Sequence, residues 1–168
     1  MRNKFFLGLI CSVLCLGSCE KEDMDALDGP GAAIIGSWSR TDVIPSGRSE
    51  ADFRYFDMVI TYNFDAKENY SYTVDFYGFK DDNPEELIGS SMNKGSYEVR
   101  GDSVFMKAKV HTSWEKGFRP NPESILLNGE VYGNRFEIID RTLTLFYISY
   151  PADAPVPTQM SYTKVSQE

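Results

Sequence analysis

Cysteine is nearly absent from this chain. Of 168 residues only 3 are cysteines, and all of them, Cys11, Cys15 and Cys19, lie at the N-terminal end. A domain built from the remainder can hold no internal disulfide, so its stability must come from apolar burial. Histidine occurs once, as His111. One imidazole without neighbouring thiols excludes the usual His/Cys zinc sets. A Ser-His-Asp triad would rest on His111 alone, and no Gly-x-Ser-x-Gly elbow accompanies it. Basic charge is also scarce, with 17 Lys and Arg against 25 Asp and Glu, for a net charge of −8. That balance excludes nucleic acid as a partner, because phosphates demand clustered Lys and Arg. After Leu16 no apolar run reaches the ~18 residues of a membrane-spanning helix. No stretch keeps the i, i+3, i+4, i+7 pattern for three turns. The best helical candidate, residues 84–88, is barely one turn. Asp81, Asp82, Glu85 and Glu86 lack the spacing of a calcium loop and read as a solvated acidic segment. With no metal, cofactor or catalytic constellation in view, the chain is expected not to be an enzyme.

What the chain does have begins at its N-terminus, MRNKFFLGLICSVLCLGSC. Arg2 and Lys4 precede an apolar run from Phe5 to Leu16, too short to span a bilayer, and small residues follow. That is the pattern of a secretory signal. Leu16-Gly17-Ser18-Cys19 resembles the lipobox of bacterial lipoproteins, which implies cleavage after residue 18 and lipid attachment at Cys19. The expected organisation is a signal peptide at 1–18, a lipidated Cys19 opening an acidic, Gly/Pro-rich tether at 19–33, and one domain at 34–168. Lys21-Glu22-Asp23 resembles a surface-export signal of some Gram-negative lipoproteins. The implied address is the outer membrane, lipid-anchored and surface-exposed.

From Ile34 onward the dominant period is two. Phe56, Met58, Ile60, Tyr62 and Phe64 share one face, and so do Tyr70, Tyr72, Val74 and Phe76. Val104, Met106, Ala108 and Val110 repeat the pattern, as do Leu143, Leu145 and Tyr147. Such alternation marks half-buried strands. Turn residues punctuate them at 65–69, 100–102, 133–134 and 140–141. The expected strands are 35–44, 53–65, 69–79, 92–99, 103–111, 124–132, 135–139, 142–150 and 158–166, with longer loops at 80–90 and 112–122. Consecutive short strands without helices predict an all-β antiparallel up-and-down barrel of about eight strands, closed so that no edge is left exposed. His111 is expected to face outward at a strand end.

Several segments resemble bacterial lipocalin-like (calycin) domains. Gly36-Ser37-Trp38 opens the first strand as Gly-x-Trp does there. Tyr62-Asn63-Phe64-Asp65, Gly95-Ser96-Tyr97-Glu98-Val99, Arg141-Thr142-Leu143-Thr144-Leu145 and Tyr162-Thr163-Lys164-Val165 match later strands in order. The resemblance spans residues 34–165 and implies structural roles. Gly36 would let the chain pass under the barrel floor, Trp38 would plug it, and Lys164 would pack over the indole.

The aromatic excess bears on function. Inward tyrosines could line a cavity with apolar walls and polar tips, suited to a small amphipathic ligand or sugar. Tyr62, Tyr72, Phe76 and Tyr97 are the candidate ligand-binding residues. The equal alternative is a small barrel filled by its own side chains. Trp114 and Phe118 could form a contact patch at the barrel mouth or cover that end. Two functions follow: a ligand-binding envelope lipoprotein, or a structural component of an envelope complex with no small-molecule ligand.

Overall fold

The computed structural model describes residues 30–44, 56–80 and 83–166. The signal segment, Cys19, Lys21-Glu22-Asp23, strand residues 53–55 and Asp81-Asp82 lie outside the described residues. Nine strands follow one short helix. They are α1 (Pro30–Ile34), β1 (Gly36–Ile44), β2 (Phe56–Phe64), β3 (Asn69–Lys80), β4 (Asn83–Arg100), β5 (Ser103–Glu115), β6 (Arg119–Leu126), β7 (Val131–Ile139), β8 (Thr142–Ser149) and β9 (Val156–Lys164). All pairings are antiparallel. The order β4-β3-β2-β1-β9-β8-β7-β5 closes through β4–β5, and β6 adds to the outer half of β5. The protein is therefore an eight-stranded closed barrel with one extra strand, compatible with a lipocalin-like fold. No helix among the described residues is long and apolar enough to cross a membrane.

One end of the barrel is a packed floor. Ile34, Trp38, Phe64, Val104, Leu143 and Leu145 are fully buried there, joined by Tyr97, Phe136 and Tyr162. Burying each such side chain contributes about 1.5–3 kcal/mol. The Trp38 indole N–H donates to the carbonyl of Ile34 at 2.7 Å, which ties α1 to the floor. The Lys164 ammonium stands 5.0 Å from the Trp38 ring. Gly36 has φ +131°, and a Cβ there would meet the Lys164 stem at 3.1 Å, so the chain passes under the lysine only as glycine. Residues 30–33, expected as the last part of the tether, instead belong to α1. Ile34, fully buried, anchors this turn against the floor.

The outer half differs from expectation. The segments 80–90 and 112–122, expected as loops, lie mostly in strands. β4 runs to 18 residues and β5 to 13, and only Lys116 to Phe118 turn between β5 and β6. Cross-strand pairing overrides the weak local pattern of this polar, serine-rich sequence. Residues 124–132 are not one strand. β6 ends at Leu126, residues 127–130 form a loop, and Gly133-Asn134 lie inside β7 rather than in a hairpin turn. The reason is a change of partner. β5 pairs with β7 through Ser103–Lys107 and with β6 through Val110–Glu115. A bulge at Lys94/Gly95 accompanies this switch. It advances β5 by one residue, so Val110 leaves the inner face and His111 joins it opposite Asn93. His111 is thus inward, with Nδ1 2.8 Å from Asn93 Oδ1.

β1 and β9 pair only at Trp38/Lys164 and Ser39/Thr163. Beyond those pairs the two strands part, although both continue toward the open end.

Candidate functional site: a tyrosine-lined cavity

Above the floor the inner faces enclose a cavity of about 760 Å³. Its wall includes seven tyrosines: Tyr62, Tyr70, Tyr72, Tyr132, Tyr147, Tyr150 and Tyr162. Met58, Met106 and Met160 add soft apolar surface, and Asn93, Asn134 and Asp42 add polar groups. Tyr132 and Tyr150 are 62% and 67% exposed, so the cavity opens between the start of β7 and the end of β8.

Strand parity builds this wall. β2 and β3 register Tyr62 opposite Tyr72 and Ile60 opposite Val74. Tyr72 in turn faces Asn93 on β4. The rings of Tyr62 and Tyr72 lie 4.7 Å apart, and Tyr162 meets Tyr62 edge-on at 5.3 Å. The phenols are not knitted together. Tyr162 points its hydroxyl at the Met160 sulfur, 3.7 Å away. Among the described residues, Tyr62 and Tyr72 have no hydrogen-bond partner for theirs. Burial, reinforced by the neighbouring phenols, pushes the Tyr62 and Tyr162 hydroxyls far above their ordinary ionisation range. Burial raises Tyr70 and Tyr72 in the same direction. These four phenols therefore stay neutral across physiological pH.

The four candidate ligand-binding residues separate. Tyr62 and Tyr72 sit together on the wall. Tyr97 belongs to the floor. Its ring packs edge-on against Phe64 at 5.0 Å, and its hydroxyl donates to the Asp65 carbonyl at 2.7 Å. Phe76 lines a second hollow of about 550 Å³ nearer the rim, with Phe56, Ile88, Trp114 and Phe118. The two hollows follow one inner face, since Phe76 is the cross-strand partner of Met58. Trp114 and Phe118 lie at the outer end of β5 and in the turn after it, where Phe118 is 78% exposed.

Sequence reasoning missed Tyr147 and Tyr162 as wall residues. Both share parity with buried Leu143 and Leu145, so the signal was present. Tyr132 and Tyr150 carried none, because one depends on the partner switch of β5 and the other follows the end of β8. Asp42 was hidden as an acidic residue in a strand, yet it registers with Met58 on the inner face. Arg40 directs Nε (3.0 Å) and Nη2 to Asp42 Oδ1, and its guanidinium lies 6.0 Å from the Tyr162 ring. Among the described residues no group of three or more His, Cys, Asp or Glu is placed to hold a metal ion.

No protein-family model matches this chain, nor does any curated protein sequence.

Proposed function

We propose that this protein is a lipid-anchored envelope lipoprotein whose lipocalin-like barrel binds a small amphipathic molecule. The observation that carries the reading is the cavity, about 760 Å³ and open at one end, with the Tyr62 and Tyr72 hydroxyls left unpaired on a wall that is mostly aromatic and apolar with a few polar groups. A barrel filled by its own side chains, as a purely structural component would have, would bond those phenols to one another, because an unpaired buried hydroxyl costs about 1–3 kcal/mol. Leu16-Gly17-Ser18-Cys19 supports the anchor at Cys19, and Lys21-Glu22-Asp23 supports display on the outer face of the outer membrane. The order of the Gly-x-Trp and later segments supports membership among bacterial lipocalin-like lipoproteins.

Thermal-shift screening of the full-length chain with fatty acids, sugars and tetrapyrroles tests the binding. A ligand at 100 times its Kd should stabilise the fold by about 2.7 kcal/mol. A folded chain that no class stabilises would overturn the binding reading. Replacing Cys19 with Ala should abolish membrane fractionation, and a variant that still processes and fractionates normally would overturn the anchor.

A further inference from the structure

Resting on the cavity reading above, we infer that the preferred ligand is a cationic amphiphile, an apolar body carrying a protonated amine, held between the Asp42 carboxylate and the tyrosine faces. Asp42 is the one residue of the cavity wall with a formal charge. Its neighbour Arg40 does not line the cavity, and it spends Nε and Nη2 on a single carboxylate oxygen, Oδ1. Oδ2 has no hydrogen-bond partner among the described residues, and Asp42 lines the cavity. A charged acceptor with one oxygen open, at the edge of an apolar chamber, selects a ligand that brings N–H donors and positive charge.

The aromatic wall makes the same selection. Phenol faces attract cations through the ring quadrupole, and more strongly where water is thin. Tyr62, Tyr72 and Tyr162 cluster with rings 4.7–5.3 Å apart. The protein already uses this chemistry once, since the Arg40 guanidinium rests over the Tyr162 ring. Asp42 lies on β1 beyond its last pair with β9, beside the part of the seam that no backbone ladder closes. The amine would lodge at the seam and the apolar body would extend inward over Met58, Met106 and Met160.

Three probes of matched shape test this by calorimetric titration of the full-length chain: 4-phenylbutylamine, 4-phenylbutanol and 4-phenylbutanoate. The ammonium should bind about tenfold or more tighter than the alcohol, as a charge-assisted contact allows, and the carboxylate should bind weakest. Asp42→Asn should reduce the amine to the level of the alcohol, and continued binding of the alcohol by the variant shows that it is folded. Equal binding of amine and alcohol to the unaltered chain overturns the inference and leaves the amphiphile reading standing. Tightest binding by the carboxylate, lost in Arg40→Gln, overturns it in favour of an anion site. If none of the three binds, the inference falls. The cavity reading is judged separately, by the thermal-shift screen of other amphiphiles.

Discussion

At the scale of single residues, tyrosines on the inner face do two different jobs. Tyr97 donates to the Asp65 carbonyl and braces the turn between β2 and β3, whereas Tyr72 faces the cavity with its hydroxyl unpaired. Tyr97→Phe should cost about 1 kcal/mol in urea denaturation, because the Asp65 carbonyl loses its shorter hydrogen bond and keeps only the 3.3 Å bond from the Glu68 N–H. Tyr72→Phe should change stability by less than ~0.5 kcal/mol and weaken binding of any ligand the screen finds. A Tyr72→Phe variant as unstable as Tyr97→Phe would mean that the wall is held by its own hydrogen bonds. The raised phenols also set an alkaline limit. The ordinary tyrosine value is 10.0, and Tyr62 and Tyr162 are pushed above it, chiefly by burial. Above that pH the unfolded chain releases these protons while the folded chain keeps them. Stability is therefore full below pH about 10 and declines above it. Denaturation midpoints followed across that range, alongside tyrosinate absorbance, check this. Tyrosinate appearing in full while the chain remains folded would contradict it.

At the scale of elements, the bulge between Lys94 and Gly95 decides how the barrel is built. It turns His111 inward, lets β5 carry both β6 and β7, and brings the β4 backbone against that of β5. A Cβ at Gly95 would lie 1.9 Å from the Lys107 carbonyl oxygen, and backbone cannot yield as a flexible side chain would. Gly95→Ala should cost at least about 1–3 kcal/mol, as overpacking does, whereas Gly101→Ala, with nothing within 4 Å, should lose only the strain of its positive φ. Equal denaturation midpoints for the two variants would remove the bulge from this role. The same bulge marks the limit of what the sequence could say. The period-two faces of Phe56–Phe64 and Tyr70–Phe76 were legible because each strand alternates without interruption. The floor was legible through Gly36-x-Trp38 and Tyr162-x-Lys164. The outer half was not. Residues 83–91 and 112–126 show no apolar/polar alternation, so their strand character comes from pairing rather than pattern. The cavity wall was half legible, because parity places Tyr62 and Tyr72 inward but gives no depth, and depth is what parts them from Phe76 and Tyr97.

At the scale of the whole molecule, the barrel has unlike ends. One is a sealed floor where α1 and Trp38 sit; at the other the walls stand apart around a cavity. α1 joins the described domain to everything N-terminal of it, so a lipid on Cys19 would be tethered to the sealed end. Ten residues, 20–29, lie between Cys19 and α1, and the eleven steps from Cys19 to Pro30, at 3.3–3.6 Å each, reach no more than ~40 Å. The chain has 2 tryptophans, and they mark opposite poles. Trp38 lies in the floor, and Trp114 lies ten residues along β5 from the floor residue Val104, some ~33 Å away at strand rise. If Cys19 carries the proposed lipid, they make a built-in compass for the protein's posture on the membrane. In vesicles carrying a dansyl-labelled lipid, the Trp114→Phe chain, which emits from Trp38, should pass energy to the bilayer more efficiently than the Trp38→Phe chain, which emits from Trp114. Such a posture turns the open end outward, so its ligand would be gathered from the surrounding medium rather than drawn from the bilayer beneath.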